Sequence, residues 1–300
     1  MSSPPIEVRS LHKRYKQGTW ANRDITLSAV QGEILGVVGP NGAGKTTLVR
    51  QVTTELLPTS GEVRVFGIDA VARPREVKGL MGVMPQEATL YWGLSVHHQF
   101  RIFGKLRGLP ARIARRRRDE LIADLDLEEH RSKSTETLSG GLRRRVLLGI
   151  AAIADSPLLI LDEPSVGLDP EARHGLWDLL RRYRQEGKTV LLTTHYMEEA
   201  EALCDRVAIV QDGSLLALDT VGALQSAYGY RYKVTFTTTA GTRSLHGNDD
   251  RQLVERMRAM RIDRYSLTST TLEDVYLALT GAGPESAAEE DGDDEHPSSD

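Results

Sequence analysis

Gly39-Pro40-Asn41-Gly42-Ala43-Gly44-Lys45-Thr46 reads Gly-x-x-x-x-Gly-Lys-Thr, and its flanks decide its meaning. Ahead of it runs Ile34-Leu35-Gly36-Val37-Val38, a short apolar stretch of buried-strand type, and behind it Thr47-Leu48-Val49-Arg50-Gln51 begins a helix. Strand, loop and helix in that order are the setting in which this octet holds phosphate. Glycine lets backbone N–H groups turn inward around phosphate oxygens, where a side chain would collide. The helix that follows presents its positive end to the same anion. Lys45 would neutralise the β- and γ-phosphates, and the Thr46 hydroxyl would ligate Mg²⁺. A plain glycine-rich turn is the alternative, and it does not account for Lys and Thr both in register.

Composition sets outer limits. Three hundred residues, 40% apolar and 27% charged, are ordinary globular composition. They allow one large domain plus a small one, or two modest ones. No stretch approaches the ~18 consecutive apolar residues of a membrane span; the longest, near residues 147–154, contains Gly149. Met1-Ser2-Ser3-Pro4-Pro5 lacks the charged and apolar regions of a secretion signal, so a soluble chain is expected. Cys204 is the only cysteine, which excludes an intrachain disulfide and a cysteine metal cluster and fits a reducing, cytosolic setting. It is expected to act as a small buried apolar residue.

The net charge of −4 hides an asymmetry: residues 285–300 carry eight acids and no Lys or Arg, leaving 38 basic against 34 acidic residues elsewhere. Residues 284–300 are expected to be a disordered, solubilising tail. The slight basic excess of the body gives no reason to expect nucleic-acid binding.

Short apolar or alternating runs at residues 6–9, 25–30 and 62–66 read as N-terminal strands. Buried-type runs at 34–38, 81–84, 158–161, 189–193 and 207–210 read as core strands. Helical patterns between them predict an α/β fold with a mostly parallel core sheet. Two helical stretches meeting at Gly108-Leu109-Pro110 predict a helical subdomain over about residues 94–155. The first domain is thus expected over 1–221. Alternating residues 231–238, a helix at 249–260, a strand at 265–268 and a helix at 271–279 predict a small α+β appendage over 222–283.

Asp162 ends the apolar run Leu158-Leu159-Ile160-Leu161, which would deliver its carboxylate beside the nucleotide as an Mg²⁺ ligand. Glu163, one residue on, faces elsewhere and is free to act as a base toward water. An acidic strand end before Pro164 is the plain alternative; Lys45-Thr46 upstream favours the site.

Further motifs follow in a fixed order: Gln86, then Leu138-Ser139-Gly140-Gly141, then the acid pair, then Ser165-Val166-Gly167-Leu168-Asp169, then His195. This series, with the phosphate loop, resembles the ATP-binding cassette family over about residues 6–220. The resemblance implies an Mg²⁺-dependent ATPase. It assigns Gln86 to the loop that contacts Mg²⁺ or the attacking water and reports nucleotide state to a transport partner. Ser139, Gly140 and Gly141 become the signature loop that serves the nucleotide of an opposing subunit. Asp169 becomes the aspartate that crosses the dimer interface, and His195 the histidine that bonds the γ-phosphate and positions Glu163. Tyr15 stands where the family stacks an aromatic on adenine; Trp20 is the alternative. Thr47 adjoins the phosphate site.

Leu142-Arg143-Arg144-Arg145 replaces the glutamine many importers carry after the second glycine, and Leu272-Glu273-Asp274-Val275-Tyr276-Leu277-Ala278-Leu279-Thr280-Gly281 lies near the C-terminus, ahead of the acidic stretch. Both resemble the drug-, lipid- and polysaccharide-exporting branch, daunorubicin-resistance-type ATPases included. The resemblance implies an exporter subunit working as a homodimer with a separately encoded permease, on the cytoplasmic face of a membrane. A soluble cassette ATPase on ribosomes or DNA, or an import ATPase, are the alternatives. Ser95-Val96-His97-His98-Gln99-Phe100 departs from the family pattern, just past Leu90-Tyr91-Trp92, on the face expected to meet the permease. Adjacent histidines do not share a helix face, so a metal site is not expected there. Arg115-Arg116-Arg117-Arg118 reads as a solvated helix face, with attraction to anionic lipid as the alternative.

Overall fold

The buried-type runs assemble side by side. In a computed structural model of the chain, residues 3–16, 18–227, 230–238 and 241–281 are described. They fall into two units, Met1–Val221 and Gly222–Asp300. In the first, β3 (Ile34–Val38), β6 (Met81–Met84), β7 (Leu158–Asp162), β8 (Thr189–Thr194) and β9 (Arg206–Gln211) run parallel, and β10 (Ser214–Thr220) closes one edge antiparallel to β9. The order is β10-β9-β3-β8-β7-β6. Every residue of β3, β7 and β8 is buried, as expected of parallel strands covered on both faces. Val38 pairs with Thr194 and Asp162 with Thr193, so β3, β7 and β8 end level. That register brings the residues that follow, Gly39, Glu163 and His195, to one carboxyl edge, where open α/β sheets bind ligands.

An antiparallel sheet, β2-β1-β4-β5, is built from β1 (Ile6–Arg14), β2 (Trp20–Ala29), β4 (Ser60–Val65) and β5 (Ile68–Asp69). Both β1 and β2 run further than the sequence pattern indicates. Register shifts between Val8 and Leu11, and again up to Arg14, break the period-two alternation, and Ser10 has a positive φ of 43°. The hairpin ends with Arg14 opposite Trp20, beside Tyr15. One core joins this sheet to the parallel one, with Ile6, Ile25, Leu35, Leu48 and Ile160 among its members.

Helices α1 (Lys45–Val52), α2 (Pro74–Gly79), α6 (Pro170–Gln185) and α7 (Met197–Leu203) pack on these strands. Helices α3 (Val96–Leu106), α4 (Ala111–Asp124) and α5 (Gly140–Ala152) pack on one another, α5 also on β6. A Cβ on Gly149 of α5 would lie 2.6 Å from the Phe100 ring of α3, so the small residue allows this close approach. The reading of Arg115–118 as solvated needs correction. Arg115 and Arg116 are exposed, but Arg117 donates to Ala152 O at 3.2 Å, and Arg118 is buried, forked onto Asp119 and 3.3 Å from His97 Nε2. Four consecutive residues cover every side of a helix, so two face the packing. Among the described residues, no helix is long and apolar enough to cross a membrane.

The chain enters the second unit within α8 (Val221–Ala227). Strands β11 (Tyr232–Thr238), β12 (Gly241–Gly247) and β13 (Tyr265–Ser269) form an antiparallel sheet, β12-β11-β13, with α9 (Asp250–Ala259) packed on β12. Val234, Phe236, Leu253 and Met257 form its core. Helix α10 (Leu272–Leu279) starts with a capping box between Thr271 and Asp274. The acidic tail expected over residues 284–300 lies outside the described residues.

Candidate active site

The octet links β3 to α1 as a loop that only glycine can complete at two points. Gly44, the cap of α1, has φ 100°, and a Cβ there would lie 2.1 Å from Ala21 O. A Cβ on Gly39 would lie 2.1 Å from Val210 O. Asn22, fully buried on β2, donates from Nδ2 to Gly44 O at 3.2 Å and ties the loop to the hairpin. A cleft of about 260 Å³ opens over Asn41, Gly42, Ala43, Gly44, Lys45, Thr46 and Thr47, with Ala21, Gln86 and Glu163 on its walls. Lys45 is buried; its Nζ donates to Gly39 O at 2.8 Å and Pro40 O at 3.1 Å.

The two acids part at a backbone kink. Asp162 is the last residue of β7, and Glu163 has φ 53°, in the left-handed region that costs a non-glycine residue about 1–3 kcal/mol. The kink is pinned: Glu163 N–H donates to Thr193 O at 3.1 Å and Thr193 Oγ1 at 3.0 Å. Asp162 Oδ1 accepts from the hydroxyls of Thr193 and, at 3.4 Å, Thr46. Burial pushes the Asp162 carboxyl above the usual aspartate range, against the pull of these two hydroxyls. Gln86 Oε1 stands 3.3 Å from Thr46 Oγ1, so two oxygens converge on one hydroxyl. Glu163 is 3% exposed; its Oε1 lies 3.4 Å from Lys45 Nζ and its Oε2 is 2.6 Å from His195 Nδ1.

Other sequence-derived residues lie elsewhere. The Tyr15 hydroxyl is 3.5 Å from Thr47 Oγ1 and the ring is 39% exposed, whereas Trp20 packs against His12 and Arg14. Ser139 caps α5, its Oγ accepting from Leu142 N–H at 3.3 Å, and Asp169 caps α6 by accepting from Ala172 N–H at 2.8 Å. The two caps are neighbours, since a Cβ on Gly141 would lie 3.6 Å from Ala172 Cβ. Ser139, Gly140, Gly141 and Asp169 are not on the walls of the Lys45 cleft.

Asn22, Thr193 and Arg144 escaped the sequence reading. The Thr193-Thr194 pair closing an otherwise apolar strand was an available signal; Asn22 and Arg144 had none. Gln99, in the departing segment, is fully buried and bonds Tyr91 through both backbone groups, at 2.6 and 3.2 Å. His98 Nδ1 pairs with the Ser95 hydroxyl at 2.8 Å. Among the described residues, no cluster of three or more His, Cys, Asp or Glu is placed to hold a metal.

Residues 22–166 match the ABC transporter family. Daunorubicin/doxorubicin resistance ATP-binding protein DrrA of Streptomyces peucetius is 35% identical over 95% of this chain and 97% of its own length. Nod factor export ATP-binding protein I of Ralstonia nicotianae is 34% identical over 93% of this chain and 95% of its own. Among solved structures, the ATP binding subunit of an ABC transporter shares the fold with a TM-score of 0.71 at 24% identity, covering 92% of this chain and 99% of that one. CbiO1 of Clostridium perfringens, part of a cbiONQ transporter complex, gives 0.68 at 26% identity over 76% and 94%. With its phosphate loop, paired acids and near-full-length likeness to such ATP-binding proteins, the chain belongs to the ABC transporter family of ATPases.

Proposed function

We propose that this chain is the ATP-hydrolysing subunit of an exporter that drives a drug, lipid or other amphiphile through a separately encoded membrane permease. The observation that carries the reading is that Lys45, Thr46 and Glu163 line one cleft, with Asp162 bonded to Thr46 and His195 to Glu163, in a chain similar along its length to a drug-resistance ATP-binding protein.

In this reading the loop N–H groups and Lys45 hold the β- and γ-phosphates, and Tyr15 offers its open face to adenine. The hard oxygens of Thr46, Asp162 and Gln86 suit Mg²⁺, which binds through one or two carboxylates plus phosphate. Bound there, the ion would neutralise charge developing on the phosphates. Glu163 takes the proton of the attacking water, and His195 steadies the carboxylate through its Nδ1 contact. Ser139, Gly140, Gly141 and Asp169 serve a second copy's nucleotide, which fits their absence from the chain's own cleft. Tyr91 and Trp92, 49% and 85% exposed just past Gln86, offer an apolar surface for the permease; docked there, the subunit would work on the cytoplasmic face of the membrane.

The test is transport. Co-expressed with a candidate permease, sought first in the neighbouring reading frame, the chain should drive ATP-dependent uptake of a fluorescent amphiphile into inverted vesicles, and Glu163→Gln should abolish it. Uptake unaffected by that substitution would refute the reading.

A further inference from the structure

Arg144 is one of three consecutive arginines in α5, five residues past the Ser139 cap, yet its guanidinium is turned inward. Nε donates to Pro164 O at 2.8 Å. Nη2 donates to Asp162 O at 3.3 Å and, more closely, to Glu163 O. Nη1 reaches Gln86 O at 3.5 Å. A single planar fork thus holds four backbone carbonyls on two loops, a geometry an ammonium cannot reproduce.

Three of those carbonyls belong to Asp162, Glu163 and Pro164, and so bracket the one residue of the cleft whose backbone is strained into the left-handed region. A conformation of that kind persists only where its surroundings over-determine it. Thr193 pins the turn from the β8 side through the Glu163 N–H. Arg144 pins it from the α5 side through the carbonyls, while the fourth carbonyl fixes the loop that carries Gln86. Burial draws the guanidinium's pKa down, and the nearby Asp162, Glu163 and Glu199 charges oppose this, so the group is held among counter-charges.

We propose that Arg144 is a positioning residue for hydrolysis: it holds the Asp162–Glu163–Pro164 turn and the Gln86 loop in the arrangement that aims the Glu163 carboxylate. It makes α5 and the catalytic turn one hydrogen-bonded unit and lies off the walls of the Lys45 cleft. The inference rests on the assignment of Glu163 as the base.

The test uses the full-length chain with Mg²⁺ and ATP, substituted Arg144→Met or Arg144→Lys, each alone and with Glu163→Gln. Misplacing the carboxylate should lower kcat by about 10–100-fold in Arg144→Met. KM for ATP should change by less than about threefold, because the Lys45 loop is untouched. Arg144→Lys should fall between, since its ammonium reaches fewer carbonyls. In the Glu163→Gln background, Arg144→Met should lower residual turnover by less than about twofold, because the group it aims is already gone. Unchanged kcat in Arg144→Met, loss of nucleotide affinity together with kcat, or a full additional drop in the Glu163→Gln background would each overturn the inference. Should Arg144→Met fail to fold, Arg144→Lys decides by the same criteria, and wild-type turnover in it overturns the inference. Near-normal turnover in Glu163→Gln alone marks instead the failure of the base assignment.

Discussion

Lys45 Nζ stands 3.4 Å from Glu163 Oε1, with both side chains about 95% or more withdrawn from solvent. The other carboxylate oxygen is held by His195 at 2.6 Å. The cation suited to phosphate and the carboxylate suited to water therefore share one buried contact, although 118 positions separate them in the chain. Neither group can be deleted without leaving the other short of a partner where unpaired charge is costly.

The first prediction follows from that pairing. Glu163→Gln keeps the shape and leaves Lys45 an amide oxygen, so ATP binding should persist while turnover falls by ~10²–10⁴-fold. Lys45→Ala removes the cation itself and should weaken nucleotide binding. Equilibrium binding of a fluorescent ATP analogue beside steady-state hydrolysis separates the two, and identical defects would contradict the assigned roles.

His195 should behave differently from both. His195→Ala removes the donor to Glu163 Oε2 but leaves the base, so kcat should drop by about tenfold or more. His195→Gln, whose amide can also donate, should recover part of the loss. Turnover of His195→Ala equal to wild type would show that Glu163 needs no such support.

Which of these relationships the sequence discloses depends on how each is built. Residues 34–38 and 158–161 declare core strands because burial on both faces leaves an uninterrupted apolar run. The continuation of β1 to Arg14 is hidden because bulges near Ser10 shift the alternation. Lys45, Thr46, Asp162 and Glu163 are readable because their chemistry demands those residue types at fixed local spacing. Asn22 and Arg144 act on backbone groups brought near by the fold, and no local spacing marks them, whereas Thr193 is marked only by the hydroxyl pair that closes an apolar strand. Arg144 was hidden further by its company, since a run of arginines looks the same whether solvated or, as here, half-buried on carbonyls.

Acid should loosen the second unit. Asp274 accepts from Lys233 and from the N–H and hydroxyl of Thr271 at 2.9 and 2.8 Å. Burial would raise its pKa, but these donors outweigh it and hold the carboxyl below the usual aspartate range. A depressed folded pKa stabilises above the unfolded value and loses that stabilisation as pH falls through the folded one. Asp274→Ala should thus destabilise the unit by about 1–2 kcal/mol at neutral pH, mostly through the lost cap. The gap between wild type and variant should narrow below about pH 4. Denaturation of the full chain, followed by hydrogen exchange in β11 and β13, measures both; a gap independent of pH would contradict the account.

The arrangement of the signature loop carries the last prediction. Ser139 caps a thirteen-residue helix whose N-terminus suits phosphate oxygens, yet it lies off the walls of the Lys45 cleft. A second copy placed head to tail would give each cleft the other's Ser139. Take one protomer with Lys45→Ala and another with Ser139→Arg, each inactive as a homodimer. In the mixed dimer one site collects both defects, while the other pairs an intact Lys45 loop with an intact Ser139 loop. Mixing should restore one trapped ATP per dimer under conditions that block hydrolysis, whereas neither variant alone traps any. Trapped nucleotide is a better measure than turnover, because the two sites are free to depend on each other during hydrolysis. If each protomer used its own signature loop, every site in the mixture would carry one defect, and no ATP would be retained.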